Sequence, residues 1–191
     1  MGTKGSIYQH YKDEELLPLL KTGAGAAFDE LYNRYGQKMF SYFIRMLWKN
    51  KEQAEDFTQD LFLKIIHHAD AYMVERNFST WLYSVANNMC KNEYRKQEVR
   101  KLHGQISRPE PLTEAINPDL RRFREAVHNC TNEMVEEKKT LYILRFQENL
   151  SVPDISKIMN IPEGTIKSRI FYLLKEMKEK LKAFENLPIY P

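Results

Sequence analysis

Apolar residues recur at steps of three and four along almost the whole of this chain, the spacing that lines one face of an α-helix. Leu16, Leu17 and Leu20 share a first face, with Asp13 placed to cap it. The stretch "AAFDELYNRYGQKMFSYFIRMLW" continues with Phe28, Leu31, Tyr32, Tyr35, Met39, Tyr42, Phe43 and Met46. From Glu52 to His68 the pattern turns Phe57, Leu61, Ile65 and Ile66 inward, and from Ser79 to Lys96 it turns Leu82, Val85, Ala86, Met89 and Tyr94 inward. No convincing period-two run occurs, so the pattern predicts an all-α protein without strands.

The periodicity fails in "QEVRKLHGQISRPEPLTEAINPD", which carries Gly104, Pro109, Pro111 and Pro118 and no apolar face. Such a stretch reads as a linker. Helical spacing resumes near Leu120 and lasts to about Lys182, and "NLPIYP" follows as a tail. The expected architecture is two small helical domains, residues 10–97 and 119–185, joined by a flexible linker over 98–118. Fully extended, about 21 linker residues would reach ~70 Å.

Near the C-terminus, "SVPDISKIMNIPEGTIKSRIFYLLKEMKEKL" holds two helical patterns around a short break. Ser151 is a good N-cap and Pro153 stands in the first turn, where a missing N–H costs nothing. Ile155, Ile158 and Met159 form a buried edge, Asn160 ends the helix, Ile161 plugs the angle, and Pro162 restarts the chain. Gly164 leaves room for close approach. Ile166, Ile170, Leu173, Leu174, Met177 and Leu181 give the second helix its inner face, and Lys167, Ser168, Phe171, Tyr172 and Lys175 its outer one. This predicts a helix-turn-helix, whose second helix enters a major groove with its N-terminal residues on base edges. A plain helical hairpin with a basic solvated surface is the bland reading; the tight break and two outward aromatics favour DNA.

Charge sharpens this picture. The 191 residues carry a net charge of only +3, but unevenly. Glu52 to Asp70 has one lysine against five acids, Arg76 to Arg108 seven bases against two, and Gly164 to Lys182 six against two. Two separate basic zones suggest two contacts with a polyanion. The 42% hydrophobic content is ordinary for a soluble protein, and no run approaches the ~20 apolar residues of a membrane span. With no signal peptide in "MGTKGSIYQHYKDEE", a cytoplasmic location is expected. Cys90 and Cys130 make no disulfide framework, and no histidine joins them at zinc-like spacing, so neither metal nor cofactor is expected.

"LSVPDISKIMNIPEGTIKSRIFYLLKEM" resembles domain four of bacterial sigma factors, which reads the minus-thirty-five promoter element. "AEDFTQDLFLKI", Ala54 to Ile65, is similar to the sigma segment that grips the clamp helices of RNA polymerase. "NFSTWLYSVANNMCKNEYRK", Asn77 to Lys96, resembles the adjoining segment that melts and reads the minus-ten element. These segments in this order cover nearly the whole chain, and at this length the resemblance is to the small extracytoplasmic-function members of the sigma-70 family. It departs where the family usually has Arg and Asp and this chain has Asn87 and Asn92, and "CTNEMVEEKKTLYILRF" lacks the usual proline.

The resemblance implies a promoter-specificity subunit that is not an enzyme. Core polymerase would be bound through Asp56, Gln59, Asp60 and Leu63, one outward face at helical spacing that is too acidic to welcome DNA. The minus-ten contacts implied are a loop, Arg76, Asn77, Phe78, Ser79 and Thr80, and a helix bearing Asn87, Asn88, Lys91, Asn92 and Arg95. Opened strands need amide or aromatic partners for bases and cations for phosphates. Trp81, spaced with Leu82 and Val85, reads first as core. The minus-thirty-five contacts implied are Arg145, Thr165, Lys167, Ser168, Phe171, Tyr172 and Lys175. Implied partners are core RNA polymerase (clamp helices and flap), promoter DNA and an anti-sigma factor, often membrane-bound. The rival readings are a free-standing helix-turn-helix regulator and a nucleic-acid enzyme; no Gly-rich phosphate loop or nucleophile motif supports the latter.

Overall fold

The computed structural model describes residues 7–47, 50–68, 77–101 and 118–185, and among them there are helices and turns but no strand. The chain divides into two compact units, Met1–Ile106 and Ser107–Pro191. The division falls inside the expected linker, most of which (102–117) lies outside the described residues, as do Arg76 and the tail from residue 186. No helix among the described residues is long and apolar enough to cross a membrane.

Unit 1 contains α1 (Asp13–Lys21), α2 (Gly25–Met46), α3 (Lys51–His67) and α4 (Phe78–Lys101). Its core is Leu16 and Leu17 of α1, Leu31, Met39, Tyr42 and Phe43 of α2, Leu61 and Ile65 of α3, and Phe78, Leu82 and Ala86 of α4. In α3, Asn50 caps the start by accepting from the Gln53 amide at 3.0 Å. The inner edge of that helix is Ala54, Thr58, Leu61, Phe62 and Ile65, while Phe57 and Ile66 are only half-buried. Thr58 is admitted because its hydroxyl donates to the Ala54 carbonyl at 2.7 Å.

Two details differ from the pattern. Lys12, not Asp13, is the N-cap of α1; Asp13 is the first helical residue and turns its carboxylate to α2. There it takes Arg34 Nη1 at 2.7 Å and the Tyr35 hydroxyl. Further, α4 runs past residue 97 to Lys101, since no glycine or proline interrupts it before Gly104.

Unit 2 contains α5 (Pro118–Asn132), α6 (Glu136–Tyr142), a π-helical turn (Ile143–Gln147), α7 (Val152–Met159) and α8 (Glu163–Lys180), closed by a 3-10 turn (Lys182–Phe184). Leu141, Ile143, Leu144, Ile155, Ile158, Met159, Ile166, Leu173 and Met177 form its core with Cys130. The closing turn lays Phe184 against Phe123 of α5, ring centroids 5.7 Å apart.

Candidate nucleic-acid and protein interfaces

The break between α7 and α8 is built from a few polar bonds. Ser151 accepts from the Asp154 amide at 3.3 Å and opens α7, with Pro153 in its first turn. Asn160 closes α7 in the left-handed region, φ 57° and ψ 49°, a conformation Asn tolerates better than most residues. Ser156 then clamps the turn from both sides. Its carbonyl accepts from the Ile161 amide at 3.1 Å, and its hydroxyl donates to the Ile161 carbonyl at 2.6 Å. Pro162 is the N-cap of α8, and its carbonyl accepts from Thr165 and Ile166. A Cβ on Gly164 would meet nothing within 4 Å, so close approach is not why glycine stands there.

On α8 the outward face is as expected: Lys167, Ser168, Phe171, Tyr172 and Lys175 are all exposed. Phe171 and Tyr172, 64% and 66% exposed, pack edge-on to one another at 5.5 Å. Leu174 departs from expectation: it is exposed rather than part of the inner face, one position round the helix from buried Leu173. The Ser168 hydroxyl donates to the Thr165 carbonyl at 3.0 Å, which leaves its oxygen lone pairs as acceptors. Thr165 itself is half-buried.

The remaining bases of this helix are not equivalent. Arg169 pairs with Glu137 at 2.6 Å, Lys178 with Glu185 at 3.7 Å, and Lys180 with Glu133 at 3.2 Å and Glu176 at 3.9 Å. Lys138 joins this network through Glu176 at 2.5 Å. Hydrogen bonding to Lys138 is the first cause holding the Glu176 carboxyl below the usual range, and hydrogen bonding to Glu133 holds the Lys180 ammonium above its own. Lys167 and Lys175 have no ion-pair partner among the described residues and are the bases left to a polyanion. Arg145, half-buried in the π-helical turn, donates from Nη1 to the Leu150 carbonyl at 2.9 Å. That bond holds the turn leading into α7, with Asn149 at φ 55°.

In unit 1, Asp56, Gln59, Asp60 and Leu63 lie along one exposed face of α3, and neither aspartate has an ion-pair partner among the described residues. Leu63, 53% exposed, adds an apolar spot to an acidic surface. A cleft of about 420 Å³ runs beside this face between α2 and α3, lined by Tyr32, Gly36, Gln37, Thr58 and Gln59 among others.

The expected minus-ten residues separate into two groups. Asn77 is exposed and Ser79 half-buried; Asn88 and Arg95 are exposed and Lys91 half-buried, sharing one side of α4 at steps of three and four. Phe78 and Thr80 do not belong with them. Phe78 is fully buried, its ring centroid 5.2 Å from Tyr35 and 6.0 Å from Trp81, and Thr80 is 6% exposed. The stretch expected as a loop is already the first turn of α4 by Phe78, so helical spacing alternates its side chains in and out. Asn87, expected outward, is also fully buried, and neither its amide nitrogen nor its amide oxygen finds a hydrogen-bond partner among the described residues. Trp81 is half-buried against Phe78, in keeping with a packing role.

Sequence reasoning missed Glu14, Arg34 and Ser156, and gave Asp13 the role of a cap. Arg34 donates to Asp13, to Glu30 at 2.7 Å, and to the carbonyls of Tyr8, Gln9 and Tyr11. Burial opposes its charge, but these carboxylates more than offset that and hold its pKa above the usual value. Burial first, and the bond to Asp13 next, pushes the Tyr35 phenol well above its ordinary range. A run of three acids, Asp13 to Glu15, was a visible signal, though their partners were not. Among the described residues no three His, Cys, Asp or Glu side chains gather as metal ligands.

Two family models match the chain: sigma-70 region 2 over residues 31–100 and sigma-70 region 4 over residues 124–177. The chain is similar to the ECF RNA polymerase sigma factor SigW of Bacillus subtilis, 27% identical, with 85% of this chain and 93% of that one covered. It is 29% identical to the ECF RNA polymerase sigma-E factor of Haemophilus influenzae over 89% of this chain and 95% of the other. Among solved structures it resembles the sigma factor RpoE of Bartonella quintana in complex with the anti-sigma factor NepR. That likeness has a TM-score of 0.66 at 24% identity, covering 81% of this chain and 96% of the other, and speaks to the fold.

Proposed function

The chain belongs to the sigma-70 family, in its extracytoplasmic-function branch, and on that premise we propose that it is a promoter-specificity subunit of bacterial RNA polymerase. It binds core enzyme, recognises two promoter elements and assists separation of the strands. It performs no catalytic step of its own and works in the cytoplasm.

One observation carries the reading against a free-standing regulator: the chain that bears an exposed recognition helix, α8, also bears an acidic, partly apolar face on α3. Asp56 and Asp60 repel a polyanion, and together with Gln59 and Leu63 they suit a basic, partly apolar protein groove, which the polymerase clamp helices would supply. A regulator that bound DNA alone would have no use for that face.

Unit 1, through the end of α4 at Lys101, is then the core-binding and minus-ten module. Asn77, Ser79, Asn88, Lys91 and Arg95 meet opened DNA there, with Arg76 alongside them in sequence. Unit 2, from about 119 to 185, is the minus-thirty-five module and also touches the flap of core enzyme. Lys167, Ser168, Phe171 and Tyr172 reach base edges, Lys175 reaches phosphate, and Arg145 and Thr165 shape the approach. The residues between serve as the tether. The helices leave 16 residues between Lys101 and Pro118, whose full extension of roughly 55 Å matches the ~50–60 Å between elements about one and a half turns apart. An anti-sigma factor that holds the protein inactive is the regulator the family resemblance implies, and the Bartonella sigma factor was solved in complex with one.

Retention on immobilised core RNA polymerase tests this reading. The protein is expected to bind core enzyme in the absence of DNA, and to select promoter sequence only once bound. Tight, sequence-specific DNA binding without core enzyme, together with no retention on it, would instead identify a free-standing regulator.

A further inference from the structure

We propose that Glu14, on α1, is a positioning residue for strand separation, acting through the backbone N–H of Phe78 in the first turn of α4; this rests on the reading of unit 1 as the minus-ten module. The first amides of any helix lack intrahelical acceptors. In α4 the Thr80 amide is met locally by Asn77 Oδ1 at 3.4 Å, and the Trp81 amide by the Asn77 carbonyl at 3.1 Å. The Phe78 amide is met instead by Glu14 Oε1 at 3.1 Å, a residue 64 positions earlier on another helix.

That carboxylate is itself firmly placed. Its neighbour Asp13 binds Arg34 and the Tyr35 hydroxyl, and the Tyr35 ring meets the Phe78 ring edge-on at 5.2 Å. Asn77 already caps α4, so the bond from Glu14 adds location to the helix start. Asn77 and Ser79 flank Phe78 and turn toward solvent, so whatever locates the Phe78 backbone locates them. Misplacement of such groups by about 1 Å is enough to cost a positioned reaction severely.

The test uses the full-length protein with core RNA polymerase and a promoter selected from random-sequence DNA by the unsubstituted protein. Opening is followed by permanganate reactivity on the duplex and on the same promoter with a pre-opened bubble. E14D keeps the charge and shortens the reach, so it is expected to open the duplex roughly tenfold more slowly, from the loss of one charge-assisted hydrogen bond. E14Q keeps an oxygen acceptor at the original reach but gives up the charge, and is expected to open the duplex at a rate between the parent and E14D, roughly threefold slower than the parent. The E14D deficit should vanish on the bubble template, with core binding unchanged. Parental opening by E14D, an equal deficit on the bubble, or E14Q as slow as E14D would overturn the proposal. A parent protein that opens no duplex with core enzyme overturns the functional reading, and this inference with it.

Discussion

Replacing Phe78 by alanine separates a packing role from a DNA-contact role at a position where the sequence alone suggested the latter. The side chain is fully buried, with its ring set against Tyr35 at 5.2 Å and Trp81 at 6.0 Å. Truncating a buried phenylalanine typically costs ~3–5 kcal/mol in lost transfer energy and cavity formation. Two edge or tilted aromatic contacts are lost along with it, and Tyr35 is bonded to Asp13 and has little freedom to fill the gap. We therefore expect Phe78→Ala to fall in the middle or upper part of that range, a large share of the ~5–15 kcal/mol that holds an ordinary domain together. Both tryptophans of the chain, Trp48 and Trp81, lie in unit 1, so tryptophan fluorescence in a urea titration reports on that unit alone. The midpoint should move to much lower urea with little change in slope. Asn77→Ala, an exposed neighbour, should shift it by less than about 1 kcal/mol, the scale of a weakened cap. A Phe78→Ala protein that unfolds at the parental midpoint yet fails to open promoter DNA would refute this reasoning and return the ring to the DNA.

Other substitutions divide in the same way between surface and structure. Asp56→Ala with Gln59→Ala should weaken core-polymerase binding at least roughly tenfold in a competition assay while the urea midpoint stays near parental, because both side chains are exposed. Lys167→Ala and Phe171→Ala should each relax base preference in the upstream element by ~1–3 kcal/mol, scored by promoter variants. Lys180→Ala should leave base preference alone and loosen unit 2 through its pairs with Glu133 and Glu176. Glu176 has a folded-state pKa below its ordinary value, so its contribution is full above the usual glutamate value and is lost as pH falls below it, through the lowered folded-state value. The stability difference between the parent and Glu176→Gln, followed by methyl signals of Ile155 and Ile166, should accordingly shrink on acidification; a constant or growing difference would contradict the pairing.

Local periodicity carried the fold a long way. The inner face of α7, the outward face of α8 and most of the inner face of α2, where Tyr32 is exposed, follow from three- and four-residue spacing, because a half-buried helix must segregate its side chains. The choice of phase was weaker, and at the start of α4 the error lay in the loop that the resemblance implied. Phe78 and Thr80 were assigned to a loop, and one turn of helix was enough to send both inward. Leu174 shows the same weakness: beside Leu173, an apolar residue extends the stripe in sequence, yet the packing surface of α8 is too narrow to take both.

Polar partnerships were the least legible part. Asp13 looked like a cap because caps are local, whereas its partners Arg34 and Tyr35 lie more than twenty positions away. Lys180 carried the right charge for DNA, but Glu133 lies within reach and pairs with it, whereas Arg145 gives one N–H to the Leu150 carbonyl and keeps its charge. Only tertiary structure brings such groups together, and composition cannot say which charges are already spent. Lys167 and Lys175 stand out for that reason.

Run-off transcription with purified core RNA polymerase and fragmented genomic DNA tests the central claim most directly. Core enzyme alone should give no discrete product. Adding this protein should yield defined transcripts from a small set of fragments, whose start sites share two upstream elements, and Asp56→Ala with Gln59→Ala should abolish them. Fragments bound specifically by the protein alone, with no transcript gained on adding it to core enzyme, would contradict the account.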